Sequence, residues 1–238
     1  MITRRKSMSV SQNLTSKKMI KKPTIVFFDA VGTLLKPSAP IEETYHHYGL
    51  IHGSAISKEN IRKRFQESFK KEELNDGDQG CKTNEARESE RWRSIVSRCF
   101  SDLKNTAPIF NDLFQHYSKP NAWDFYPGTI AVLKSLENAG ISWGIASNFD
   151  LRLQSIVKNK IELCNCKWLI ISSLIGYKKP SNHFFEHLQK SSGVSFEQIL
   201  MVGDSPENDI HPAKEIGMQT FQIKESQSLE DLLQLLGR

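Results

Sequence analysis

Five short apolar runs, and the distances between them, constrain this chain more than anything else in it. Thr24 to Phe28 (TIVFF), Ser142 to Ala146 (SWGIA), Trp168 to Ile171 (WLII), Ile199 to Val202 (ILMV) and Thr220 to Ile223 (TFQI) are brief and rich in branched or aromatic side chains. Runs of that length read as strands buried on both faces of a sheet. Helical patterns alternate with them. Thr129 to Asn138 has apolar residues at 130, 132, 133 and 136 and a C-terminal cap at Gly140, and Leu151 to Lys158, Asn182 to Lys190 and Glu207 to Ile216 follow. Such alternation, with right-handed crossovers, implies an α/β fold: a doubly wound, Rossmann-like, mainly parallel sheet of about five strands.

About a hundred residues separate the first run from the second, far more than an ordinary connection needs. Something folded must occupy them. Ser57 to Glu73 and Glu85 to Phe100 are charged yet carry periodic Ile, Phe, Trp and Leu, so residues 38–123 read as an inserted α-helical cap, with Asn75 to Gly80 (NDGDQG) as a loop inside it. The α/β core then comprises residues 23–37 and 124–238.

Residues 1–22 are different in kind. They hold seven Lys or Arg and no acid, so leaving them out turns the formal charge from +5 to −2. The globular part is thus mildly acidic, and neither nucleic acid nor a membrane surface is an expected partner. The tail has too little apolar surface to offset its ordering entropy and reads as disordered. A cytoplasmic location is expected, with mitochondrion or plastid as the alternative if the tail acts as a transit peptide. No apolar run approaches the roughly 20 residues of a membrane-spanning helix. Cys81, Cys99, Cys164 and Cys166 are too few and too irregular for a disulfide framework.

In an open parallel sheet, ligands bind beyond the carboxyl ends of the strands. Polar residues at those positions form four groups: Asp29 with Gly32 and Thr33, Ser147 with Asn148, Lys179 with Pro180, and Asp204 with Asp209. Each alone is ordinary turn or capping chemistry. Together they place three carboxylates at one sheet edge, where they repel unless a cation sits among them. Hard oxygen ligands point to Mg2+. The Thr33 and Ser147 hydroxyls and loop amides near Gly32 are then placed to grip phosphoryl oxygens.

The strings FFDAVGTLL, ASN, GYKKP and GDSPEND resemble, in order and spacing, the four motifs of haloacid dehalogenase-like (HAD) hydrolases. The likeness spans roughly residues 24–223, and the DAVGTL string resembles the subgroup named after haloacid dehalogenase-like hydrolase domain-containing protein three. It implies Asp29 as nucleophile, forming an aspartyl-phosphate. It implies Lys179, rather than Lys178, as the bridge between nucleophile and phosphate, with Gly32, Thr33, Ser147 and Asn148 around the phosphoryl group. The metal would be held by Asp29, the Val31 backbone carbonyl, Asp204 and Asp209. The helical insertion resembles the family's cap; Tyr45, His46, His47, Tyr48 and Trp92 are placed to face its cleft, although periodic aromatics are more often core.

One position departs from the pattern. Phosphatases of the family carry a second aspartate two residues after the nucleophile, and here that residue is Val31. General acid–base help is worth about 10²–10⁴-fold, so the expected activity is a phosphatase for a small phosphorylated metabolite, slowed by that loss. Relatives with Ala, Thr or Tyr at this point are phosphonate hydrolases, transport ATPases and dehalogenases. A phosphonatase would need a Schiff-base lysine from the cap, and nothing singles out Lys58, Lys63 or Lys70. A 2-haloacid dehalogenase is one alternative, opposed by the intact Gly203-Asp204. A binding or regulatory protein with little turnover is another, opposed by the retained charges.

Overall fold

The computed structural model describes residues 22–224 and 229–237; the basic tail expected to be disordered lies, but for Lys22, outside the described residues. In chain order the elements are β1 (Ile25–Phe28), β2 (Leu35–Pro37), α1 (Ile41–Ile51), α2 (Lys58–Asp78), α3 (Glu85–Cys99), α4 (Ala107–His116), β3 (Trp123–Phe125) and α5 (Thr129–Asn138). There follow β4 (Ser142–Ser147), α6 (Arg152–Lys158), β5 (Trp168–Ile171), α7 (Ser172–Ile175), α8 (Asn182–Ser192), β6 (Ile199–Gly203), α9 (His211–Glu215), β7 (Gln219–Gln222) and α10 (Asp231–Leu235).

Five strands form one parallel sheet in the order β5-β4-β1-β6-β7. β1 is central and every residue of it is buried. Its side chains alternate between two cores, as the strand's period of two requires. Val26 and Phe28 join Leu133, Trp143 and Leu153 on one face, while Ile25 and Phe27 join Phe184, Phe185 and Met201 on the other. Helices therefore cover both faces of an α/β, doubly wound sheet, as expected. Each strand falls within one residue of its expected bounds.

Helices α1 to α4 lie between β2 and β3 and have a core of their own, in which Tyr45, Ile61, Ile95, Phe100 and Leu113 are buried together. Capping is explicit in the sequence: the Ser57 hydroxyl accepts from the Asn60 amide, and the Asn84 side chain accepts from the Arg87 amide. β2 and β3 pair antiparallel, Leu35 with Phe125 and Pro37 with Trp123, so both crossings into the insertion lie side by side. Three-residue strands, one ending in proline, carry too little pattern to be read from sequence.

Two expectations are corrected. Asn75 to Asp78 is not a loop, because α2 continues through Asp78. Asp76 is buried there and accepts hydrogen bonds from Arg87, Arg91 and Lys178, and these override the weak helix propensity of Asn-Asp-Gly. The segment after β6 is not one helix either: Pro206–Ile210 forms a π-helical turn before α9. Pro212 has no amide to give to the preceding turn, and Asp209 turns its carboxylate back onto the Ser205 amide at 3.2 Å.

Candidate active site at the carboxyl edge of the sheet

Asp29 follows the last residue of β1, and its amide extends the ladder by donating to Val202 O at 2.8 Å. That bond holds a buried carboxylate at the lip of the sheet. From the loop between α7 and α8, Lys179 reaches the same point. Its ammonium donates to Asp29 Oδ1 at 2.7 Å, to Asp209 Oδ1 at 2.5 Å and to the Ala146 carbonyl at 2.9 Å. All three protons are used. Burial alone would lower the Lys179 pKa, but Asp209 and Asp29 together raise it, so it stays a cation.

Two glycines make room for the other acids. A Cβ at Gly203 would stand 2.3 Å from Asp209 Cγ, and one at Gly32, where φ is +100°, would stand 2.5 Å from Asp204 Oδ2. The Gly32 amide is already given to Leu35 O at 3.0 Å, so what this residue supplies is space. Carboxylate oxygens of Asp29, Asp204 and Asp209 consequently lie within 4.8 Å of one another. Burial pushes Asp209 up to about 6 although Lys179 pulls the other way, and burial together with the Asp29 charge raises Asp204. Asp204 stands at the solvent side of the cluster.

Three hard-oxygen donors against one ammonium leave an excess of negative charge in a small volume, which fits a hard divalent cation. Thr33 Oγ1 donates to Asp204 Oδ1 at 3.4 Å, and Ser147 is buried at the end of β4. Asn148 uses both ends of its amide on the Lys179 backbone, donating to its carbonyl at 2.9 Å and accepting from its amide at 2.8 Å. It fixes the lysine. Lys178 points elsewhere: its ammonium donates to Asp76 Oδ2 at 2.6 Å and lies 3.5 Å from Glu88. Lys179, not its neighbour, reaches Asp29.

The cluster opens into a cavity of about 440 Å³ whose far wall comes from the insertion, including Glu73, Asp76, Glu88 and Arg91. A second cavity, about 250 Å³, lies beside it and is lined almost entirely by apolar side chains. Val31, Phe69, Trp92, Asn148 and Phe149 border both. Of the cap residues singled out in the sequence, Tyr45 and Trp92 line the apolar cavity. Tyr48 instead meets His116 at 3.4 Å, and His46 and His47 border neither space. Phe65, Phe69, Phe149 and Arg152 were not singled out; the spacing of Phe65 and Phe69 along α2 is the signal that could have found them.

The chain is similar to known proteins over most of its length. Residues 23–217 match the family described as "Hydrolase: haloacid dehalogenase-like hydrolase". Over 211 residues the chain is 23% identical to haloacid dehalogenase-like hydrolase domain-containing protein 3 of Mus musculus, covering 87% of this chain and 84% of the relative. A HAD-hydrolase of Bacillus subtilis bound to magnesium superposes with a TM-score of 0.73 at 14% identity, over 92% of this chain and 100% of that one. L-2-haloacid dehalogenase from Xanthobacter autotrophicus gives 0.67 at 19% identity, over 89% and 81%. At such identities the two superpositions speak for the fold alone.

Proposed function

The chain belongs to the haloacid dehalogenase-like hydrolases, and from that membership we propose that it is a magnesium-dependent phosphatase acting on a small phosphorylated metabolite through an aspartyl-phosphate at Asp29. The observation that carries this reading is the Lys179 ammonium bonded to both Asp29 and Asp209, with Asp204 closing the cluster. Asp29, Asp204, Asp209 and the Val31 carbonyl would hold magnesium, which would supply positive charge to a phosphoryl group bound there.

The chain's own groups do the rest. Lys179 fixes Asp29 Oδ1, which leaves Oδ2 as the attacking atom. The Ser147 and Thr33 hydroxyls stand at the ends of β4 and of the β1 loop, where charge builds on the phosphoryl oxygens. Asp29 Oδ2 forms a bond to phosphorus as the ester oxygen departs, and water then hydrolyses the aspartyl-phosphate. Val31 can neither give a proton to the departing oxygen nor take one from that water. Both half-reactions lose that help, and phosphoenzyme should accumulate where the leaving oxygen needs no proton.

The test is phosphate release from a panel of phosphate monoesters by the purified protein, with and without magnesium, beside Asp29→Asn. Magnesium-dependent release lost in the variant, with an 80-Da adduct on Asp29 found by mass spectrometry of quenched enzyme (about the mass of a phosphoryl group), is the expected result. Halide release from 2-haloacids without metal would replace this reading with a dehalogenase.

A further inference from the structure

We propose that the ester cleaved here is an aryl phosphate whose aromatic leaving group sits in the apolar cavity behind Val31. The inference rests on the phosphatase reading above and names its substrate class. Two independent observations lead to it, one of shape and one of chemistry.

The shape is that of a flat apolar group. Nine of the sixteen residues that line a cavity of about 250 Å³ are aromatic, among them Tyr45, Phe65, Phe69, Trp92, Phe110 and Phe114. A dry apolar cavity of about 150 Å³ is enough for benzene, so this one takes a bicyclic ring or a substituted phenyl. Its rings are already set against one another, Phe65 and Phe69 stacked at 6.0 Å and Phe69 tilted to Trp92 at 6.3 Å. The polar groups on its walls are mostly committed. Asn148 clasps the Lys179 backbone, and Trp123 Nε1 donates to Tyr117 O at 3.1 Å. Arg152 grips Asp150 through Nε at 2.8 Å and a terminal nitrogen at 2.7 Å while lying 3.9 Å over Phe114. The Tyr117 hydroxyl is buried without a partner, enough for one ring substituent. A sugar or polyol would lose its hydration here and find no partners for most of its hydroxyls.

The chemistry concerns the departing oxygen. Val31 borders both the cavity that holds Asp29 and the apolar one, so a group leaving towards the rings passes an aliphatic side chain. Among the described residues, no carboxyl, imidazole or ammonium lines the apolar side. The Tyr45 and Tyr117 phenols, both pushed up by burial, hold their protons, so an ester oxygen that leaves on this side, away from the Glu73 and Glu88 carboxyls, departs as an anion. A phenol, with a pKa of about 10, can do so, whereas an aliphatic hydroxyl, a far weaker acid, needs a proton. In the first step the Asp29 Oδ2–P bond forms and the P–O(aryl) bond breaks. Its electron pair stays on the phenolate oxygen, which takes a proton from solvent after release.

The experiment measures kcat/KM of the full chain with magnesium for 2-naphthyl phosphate and phenyl phosphate against glycerol 3-phosphate and glucose 6-phosphate. In parallel, calorimetry measures 2-naphthol binding to the metal-free protein and to two cavity-filling variants, Val96→Phe and Ile41→Trp. The aryl esters are expected to lead by about 10²-fold or more, the range a missing general acid commands. Naphthol should bind wild type and lose at least about tenfold in affinity in whichever filled variant keeps the wild-type melting temperature. Val31→Asp should narrow the gap by raising the alkyl esters far more than the aryl ones. Magnesium-dependent turnover of alkyl esters at equal or greater kcat/KM overturns the aryl assignment and leaves the phosphatase standing. Failure of every ester, in wild type as in Asp29→Asn, overturns both.

Discussion

Two clusters of buried charge lie close together in this molecule, and they are built on opposite plans. In the insertion, Glu72, Asp76 and Glu88 meet Arg87, Arg91, Arg98 and Lys178, so three acids face four bases. What is left over is cationic: Arg87 Nε, Arg91 Nε and Arg98 NH1 are buried without acceptors. At the sheet edge, three acids face Lys179 alone. A cluster that carries its own counter-charges, with one cation to spare, holds α2, α3 and the loop after α7 together without an ion from outside. One that is short of positive charge is unfinished until a cation arrives. The sign of the surplus charge, rather than burial, separates the structural cluster from the chemical one.

The sharpest way to test that distinction is at the nucleophile. Asp29→Asn and Lys179→Met should each lower magnesium-dependent phosphate release by at least about 10³-fold, followed as steady-state rates. Asp76→Ala, in the insertion's cluster, should act on stability instead. It strands Arg91 and Lys178 without their carboxylate and should cost about 3–5 kcal/mol in denaturant titrations, with no recovery on adding magnesium. The comparison breaks if magnesium rescues Asp76→Ala as well as it rescues the sheet edge.

Metal addition comes next in size. Magnesium at a hundred times its dissociation constant should stabilise the wild type by about 2.7 kcal/mol, seen as a rise in Tm, and Asp204→Asn should lose most of that rise. The smallest effect expected is that of pH. The Asp209 pKa, raised by burial to about 6, means that the metal-free fold favours the protonated acid. That contribution is complete below the ordinary carboxylate pKa of about 4 and is lost as pH rises through about 6. Metal-free Tm should thus decline between about pH 4 and 7, while magnesium affinity should weaken as pH falls below about 6 because protons compete for the same oxygens.

The parts of this molecule that depend on neighbours in sequence were legible, and those that depend on distant partners were not. β1 and β6 read clearly because strands buried on both faces are continuous apolar runs, and Asp29 and Asp204 stood out because they end them. The course of α2 through Asn75-Asp76-Gly77 was hidden, since Asp76 is held by Lys178, 102 residues away. The apolar cavity was hidden for the same reason: Phe69, Phe114 and Phe149 lie on separate segments and meet only in the fold. The turn around Asp209 shows how function disturbs local pattern, because a carboxylate aimed at Lys179 widened what the periodicity reads as plain helix.

Lys178 and Lys179 are consecutive, one moored to the insertion through Asp76 and the other to the nucleophile through Asp29. Their Cα atoms are separated by a single peptide, 3.8 Å that hardly stretches. The pair behaves as two tethers tied to one post. If α2 is displaced by more than the slack in one lysine side chain, the load passes to Asp29, so the orientation of the insertion and the alignment of the attacking oxygen are mechanically a single setting.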